Sequence, residues 1–138
     1  MRLQVVFDAH DPHALAEFWA AALGYQMEDN SEFVDSLVAD GKMPDEGRIV
    51  RNGRSEFADV AAARDPNGQE PRFYFQKVPE GKTAKNRLHL DIAVPVERKN
   101  AEVVRLVGLG ATELYMTNDR GPVTHTLSDP EGNEFCVH

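Results

Sequence analysis

The chain has 138 residues, 41% of them hydrophobic and 28% charged, with a formal net charge of -8. That length supports one ordinary globular domain, 1–138, and is short for two. The acidic balance excludes a protein drawn electrostatically to nucleic acid or to anionic membranes, and the single cysteine, Cys136, excludes an intramolecular disulfide and a cysteine-built zinc site.

Residues 2–9 (RLQVVFDA) read as a strand. A helix follows over 11–24, opened by Asp11 and Pro12 and stopped by Gly24. Its apolar positions Leu15, Phe18, Trp19, Ala22 and Leu23 fall at helical spacing, which assigns Trp19 to the core. Residues 32–40 read as a short second helix, and 42–54 as an irregular loop with weak strand character. Strands are predicted at 55–65 and 71–78, flanking a turn at Asp65-Pro66-Asn67-Gly68. After a linker over 79–86, a strand is predicted at 87–94 and a glycine-stopped helix at 97–110. Strands over 111–117, 122–128 and 133–138 then complete the chain, the last preceded by the turn Asp129-Pro130-Glu131-Gly132.

The second half repeats the first. Arg2, Leu3 and Gln4 correspond to Arg87, Leu88 and His89, Leu23 and Gly24 to Leu109 and Gly110, and Asp65, Pro66 and Gly68 to Asp129, Pro130 and Gly132. The prediction is α+β: two βαβββ modules, one over 1–80 with an insertion near 32–53 and one over 85–138. Their sheets are expected to pair around a cleft. Alternation on the 87–92 strand puts Leu88, Leu90 and Ile92 on one face and His89 and Asp91 on the other, towards that cleft. On the last strand, Phe135 and Val137 take the helix side and Glu134 and Cys136 the other. On 71–78, Tyr74 and Gln76 lie opposite Phe73 and Phe75.

This order of elements, with LAEFWAAALGY, KNRLHLDI and SDPEGNEFCV, resembles the vicinal oxygen chelate superfamily, specifically its bacterial glyoxalase-like domain proteins. The resemblance implies a glyoxalase-like fold, a homodimer and a small-molecule ligand. It also implies metal ligands on the first and last strand of each module. Gln4 and His89 stand in the first-strand slots. The usual carboxylate slot of the last strand holds Cys136, with Glu134 two residues early, and the first module offers Tyr74 and Gln76 where no carboxylate stands. A divalent ion held by Gln4, His89 and Glu134 would have one anionic ligand, so weak and substoichiometric metal is expected.

Without metal, Asp91 and Glu134 are the candidate catalytic residues, as a carboxylate pair in which repulsion and desolvation raise one pKa and leave a general base. The same carboxylates have ordinary alternatives as polar lining, or as salt-bridge partners of Arg87 or Lys85. Tyr74, Gln76 and Cys136 are candidate substrate contacts. Cys136 is a nucleophile only if a cation lowers its pKa, and otherwise a buried thiol. His10, His13 and His138 lie at a turn or terminus, and His125 faces either way. Two functions follow: a lyase or isomerase acting in the cleft, or a non-catalytic binder of the bleomycin-resistance type in which Tyr74 meets a flat cationic ligand. No leader or long apolar run is present, and a cytosolic protein is expected.

Overall fold

The computed structural model describes residues 2–118 and 121–138. Contacts group them into two compact units, residues up to Pro79 and from Glu80 onward.

In the first unit, strand β1 (Gln4–Ala9) runs into helix α1 (Pro12–Leu23). The Asp11 carboxylate accepts the backbone N–H groups of His13 and Ala14 at 3.1 and 3.0 Å, and Pro12, which has no N–H to satisfy, takes the first helical position. Gly24 ends the helix at φ 70°, a left-handed conformation that a Cβ would strain. Strand β2 (Gln26–Met27), helix α2 (Ser31–Ala39), the hairpin β3 (Arg48–Arg51) and β4 (Arg54–Phe57), and strands β5 (Val60–Arg64) and β6 (Arg72–Lys77) complete the unit. Its main sheet has the order β1-β6-β5-β2, with β1 parallel to β6, and the β3–β4 hairpin forms a separate ribbon. Phe73 and Phe75 are buried beneath α1, where Phe7, Trp19 and Phe73 pack ring against ring at centroid distances of 5.4 to 5.7 Å. Each such side chain removed from water contributes about 2 to 3 kcal/mol.

The second unit repeats the plan. Strand β7 (Leu90–Ile92), helix α3 (Lys99–Leu109) and strands β8 (Thr112–Thr117), β9 (Thr124–Ser128) and β10 (Glu134–Val137) form a sheet of order β7-β10-β9-β8, with β7 parallel to β10. Both sheets therefore run first strand, last, third, second. The two Asp-Pro-x-Gly turns also match: Asp65 accepts the amides of Asn67, Gln69 and Glu70, and Asp129 those of Glu131 and Asn133. These aspartates build turns, as predicted.

Four details differ from the sequence reading. The insertion is an ordered helix and hairpin rather than a helix and irregular loop, and the predicted 55–65 strand divides, its start belonging to the hairpin. Strand β2 escapes prediction because two residues carry no periodicity. The strand expected from residue 87 begins at Leu90, and Leu88, placed in the core by alternation, is 69% exposed. Strand β7 is a sheet edge with one neighbour, β10, and their pairing reaches back only to Leu90 and Phe135, so residues 87–89 have no ladder to hold them. No helix among the described residues is long and apolar enough to cross a membrane.

Candidate functional site

Among the described residues each sheet leaves one face without a helix, and Gln4, Tyr74, Gln76, Asp91, Glu134 and Cys136 lie on these faces, while His89 stands just before its strand. In the first unit the β1–β6 register sets Gln4 beside Arg72, Val6 beside Tyr74 and Asp8 beside Gln76. Tyr74 and Gln76 thus share the face of Gln4, opposite buried Phe73 and Phe75, as alternation predicts. Gln76 is spent internally, donating to Asp8 at 2.8 Å.

Arg72, which the sequence reading passes over, organises this face. Its Nε and Nη2 donate to the two carboxylate oxygens of Glu28 at 2.7 Å each, and Nη1 donates to Gln4 Oε1 at 2.6 Å. The guanidinium carbon lies 5.2 Å from the centre of the Tyr74 ring. Hydrogen bonding to Arg72 holds the Glu28 carboxyl below its ordinary pKa against the opposing effect of burial, and Glu28 in turn raises that of Arg72. Beside this fork a groove of about 770 Å³ opens at the strand ends, lined by Arg2, Gln4, Gln26, Arg64 and the 65–71 turn. Arg2 and Arg64 make no ion pair among the described residues.

In the second unit, β10 places Phe135 and Val137 in the core, 1% and 0% exposed, and turns Glu134 and Cys136 to the open face. Asp91 stands beside Cys136 in the parallel pairing. His89 precedes β7, with Nε2 2.6 Å from Lys85 Nζ, so an ammonium donates to a neutral imidazole. Glu134 accepts the Asn86 amide at 3.0 Å and lies 3.0 Å from Lys82 Nζ. The Asn86 N–H foremost, then Lys82, hold its carboxyl at about 2 despite desolvation.

At Glu134 this corrects the expectation of a raised pKa, since donors that favour the charged form surround its carboxylate. It is held as an anion, and a carboxylate with so low a pKa is a weak base. Cys136 has its pKa raised, first by burial and further by Asp91, so the nucleophile reading lacks a thiolate. His125 turns to the helix side, 6% exposed, with Nδ1 2.7 Å from Glu113 Oε1.

A depressed carboxylate contributes stability above its unfolded pKa and loses it as pH falls through the folded value. Wild-type protein should therefore lose thermal stability as the pH falls from about 4.5 towards 2, and Glu134→Gln should flatten that part of a calorimetric pH series. An unchanged acid slope in the variant would show that Glu134 is not held as described.

The residues do not fit a resident divalent ion. Gln4 in the first unit, and His89 and Glu134 in the second, each already face a protein cation: Arg72, Lys85 and Lys82. A metal drawing on any of these donors would sit against a fixed positive charge. Among the described residues, no three His, Cys, Asp or Glu side chains gather as a metal-holding group.

The sequence matches the family model described as "Glyoxalase-like domain" over residues 4–138. No curated protein matches it. Among solved structures, it is similar to a glyoxalase/bleomycin resistance protein/dioxygenase family enzyme from Burkholderia phytofirmans PsJN, with 16% identity, TM-score 0.64, and coverage of 97% of this chain and 94% of that one. A possible glyoxalase from Bacillus cereus aligns at 17% identity and TM-score 0.58, over 99% and 94% of the two chains. A mutant of the fosfomycin resistance protein FosX from Listeria monocytogenes, complexed with Mn(II) and 1S,2S-dihydroxypropylphosphonic acid, aligns at 11% identity and TM-score 0.59, over 98% and 86%. At these identities the likeness is one of fold.

Proposed function

Because the chain belongs to the glyoxalase-like domain family of the vicinal oxygen chelate superfamily, we propose that it binds a small, oxygen-rich anionic molecule on the open face of its sheets without a resident metal. The observation that carries this reading is the protein cation set against each candidate metal ligand, Arg72 on Gln4, Lys85 on His89 and Lys82 on Glu134. A guanidinium has five N–H donors. Glu28 and Gln4 take one each from Nε, Nη2 and Nη1, which leaves donors of Arg72 for a ligand in the groove that Arg2 and Arg64 also line. A flat cationic ligand of the bleomycin type is disfavoured, because the Tyr74 ring it would stack on already carries the Arg72 guanidinium.

A lyase or isomerase is the second reading, favoured by Asp91. This carboxylate is exposed and pairs with no cation among the described residues, unlike Glu134, so it is the group placed to take a proton from a bound substrate.

Protein purified without chelator should carry well under one transition metal per chain by elemental analysis, and Mn(II), Ni(II) or Zn(II) should leave its melting midpoint unmoved. A tightly held ion near one per chain overturns the metal-free reading. A melting screen should find stabilisation by small carboxylates or phosphonates, about 2.7 kcal/mol at a hundredfold excess over Kd, and Arg64→Gln should weaken it. Stabilisation by planar organic cations alone would return the drug-binding alternative.

A further inference from the structure

One end of the first sheet carries a cross-strand row of amides and guanidiniums. Gln4, the first residue of β1, lies beside Arg72, the first of β6, and Gln26, the first of β2, lies beside Arg64, the last of β5. The antiparallel β5–β6 ladder runs from Val60 beside Gln76 to Ala63 beside Phe73, so its next step sets Arg64 beside Arg72. Paired residues of adjacent strands share a face. The sheet order β1-β6-β5-β2 therefore sets Gln4, Arg72, Arg64 and Gln26 in sequence across the open face, and all four line the groove of about 770 Å³.

Like charges on neighbouring strands, with backbones about 5 Å apart, repel, and a chain of net charge -8 does not gather guanidiniums by composition alone. Glu28 offsets only part of this charge. Its N–H donates to the Ala62 carbonyl at 2.9 Å, and its side chain crosses β5 to take Nε and Nη2 of Arg72. The Arg72 hydrogen bond foremost, and the charge of Arg64 last, lower the Glu28 pKa, so Arg64 lies near this carboxylate without pairing to it. The other carboxylates of the groove are engaged elsewhere. Asp65 is held by three amides of its own turn, and Glu70 acts on Tyr25, a ring that packs on Phe73 of the opposite face. Arg64 and Arg2, both exposed and both lining the groove, have no ion pair among the described residues. We propose that the row is a seat for a dianion, a small molecule whose two anionic groups are joined by a short chain, one group on Arg64 and Gln26 and the other on Arg2 and Arg72. The proposal rests on the anion-binding reading and narrows it. Gln4 Oε1 accepts from Arg72, which leaves the Gln4 side-chain N–H groups, with the unused donors of Arg72, for the second group. Two guanidiniums without counter-charge call for two negative charges, and a monoanion would leave one of them unmatched. The spacing of neighbouring strands suits the carboxylates of succinate or glutarate.

NMR titration of the isotopically labelled chain with succinate, glutarate, butyrate and succinamate, at neutral pH and fixed ionic strength, tests this. Butyrate and succinamate keep the length but carry one charge. Succinate or glutarate should bind roughly tenfold or more tighter than either, the size of one further charge-assisted contact, and should shift the resonances of Gln4, Gln26, Arg64 and Arg72. Arg64→Gln and Arg2→Gln, substitutions at exposed positions that leave the core untouched, should each bring the dicarboxylate down towards the butyrate level. Equal binding of mono- and dicarboxylates overturns the dianion seat and leaves the anion-binding reading standing. A dicarboxylate preference that survives either substitution also overturns the seat. Failure of all four acids to bind overturns both.

Discussion

Trp19→Ala is expected to remove about 3 to 5 kcal/mol from folding, the range found when a large buried aromatic is truncated. A domain of this size has roughly 5 to 15 kcal/mol in total, so the variant should be partly unfolded at physiological temperature. Trp19 is 1% exposed and lies within 5.7 Å, centroid to centroid, of Phe7, Phe18 and Phe73. Those three rings come from β1, α1 itself and β6, so no single side chain can relax into the space. The cavity remains, and with it the cost of lost dispersion contacts. Because Trp19 is the one tryptophan, urea unfolding should be followed by circular dichroism, with the midpoint falling and the slope unchanged. Trp19→Phe should recover part of the loss. A cost below about 1 kcal/mol for the alanine variant would mean that the first unit does not depend on this cluster.

What the sequence shows and what it hides divide along the range of the interactions. Helix α1 is readable because each of its signals is local: Asp11 and Pro12 at the start, Gly24 at the end, and apolar residues a turn apart. The paired Asp-Pro-x-Gly turns are readable for the same reason, and they expose the repeat. Alternation places Tyr74 and Gln76 opposite Phe73 and Phe75, and Glu134 and Cys136 opposite Phe135 and Val137, because both strands have partners that keep the pleat. The same rule fails at Leu88, where the pairing stops.

The chemistry is harder to read because its partners lie far apart in sequence. Arg72 meets Glu28 and Gln4, 44 and 68 residues away, and nothing near Arg72 announces either. One signal was available: a parallel pairing of the first and last strands of a module sets Arg72 beside Gln4 once the register is drawn. Lys82 falls in a stretch that composition marks as linker, and only the fold returns it to Glu134, whereas Lys85 meets His89 four residues on. Charged partners stand against every candidate ligand, which adds to the shortage of anionic ligands that already made only weak metal binding expected from the sequence.

Arg72→Ala is the substitution that tests this arrangement most sharply. It leaves the Glu28 carboxylate, 20% exposed, and the Gln4 carbonyl without their donors. Breaking charge-assisted hydrogen bonds at a partly buried site should cost about 2 kcal/mol, more than an exposed surface pair would. The pH dependence should also change sign at Glu28. In the wild type, the Arg72 hydrogen bond lowers the Glu28 pKa, so its contribution is present above the ordinary glutamate value and declines as the medium is acidified. Without Arg72, the desolvation that opposes the shift remains, offset only by the charge of Arg64, and the carboxyl becomes easier to protonate. Acidification through the glutamate range should then relieve the variant, and the stability gap between it and the wild type should narrow as the pH falls. The double variant Arg72→Ala with Glu28→Gln should recover much of the loss at neutral pH, because no unpaired charge is left behind. A gap that stays constant with pH, or a double variant no more stable than Arg72→Ala, would show that the guanidinium is not the counter-charge that organises the open face of the first sheet.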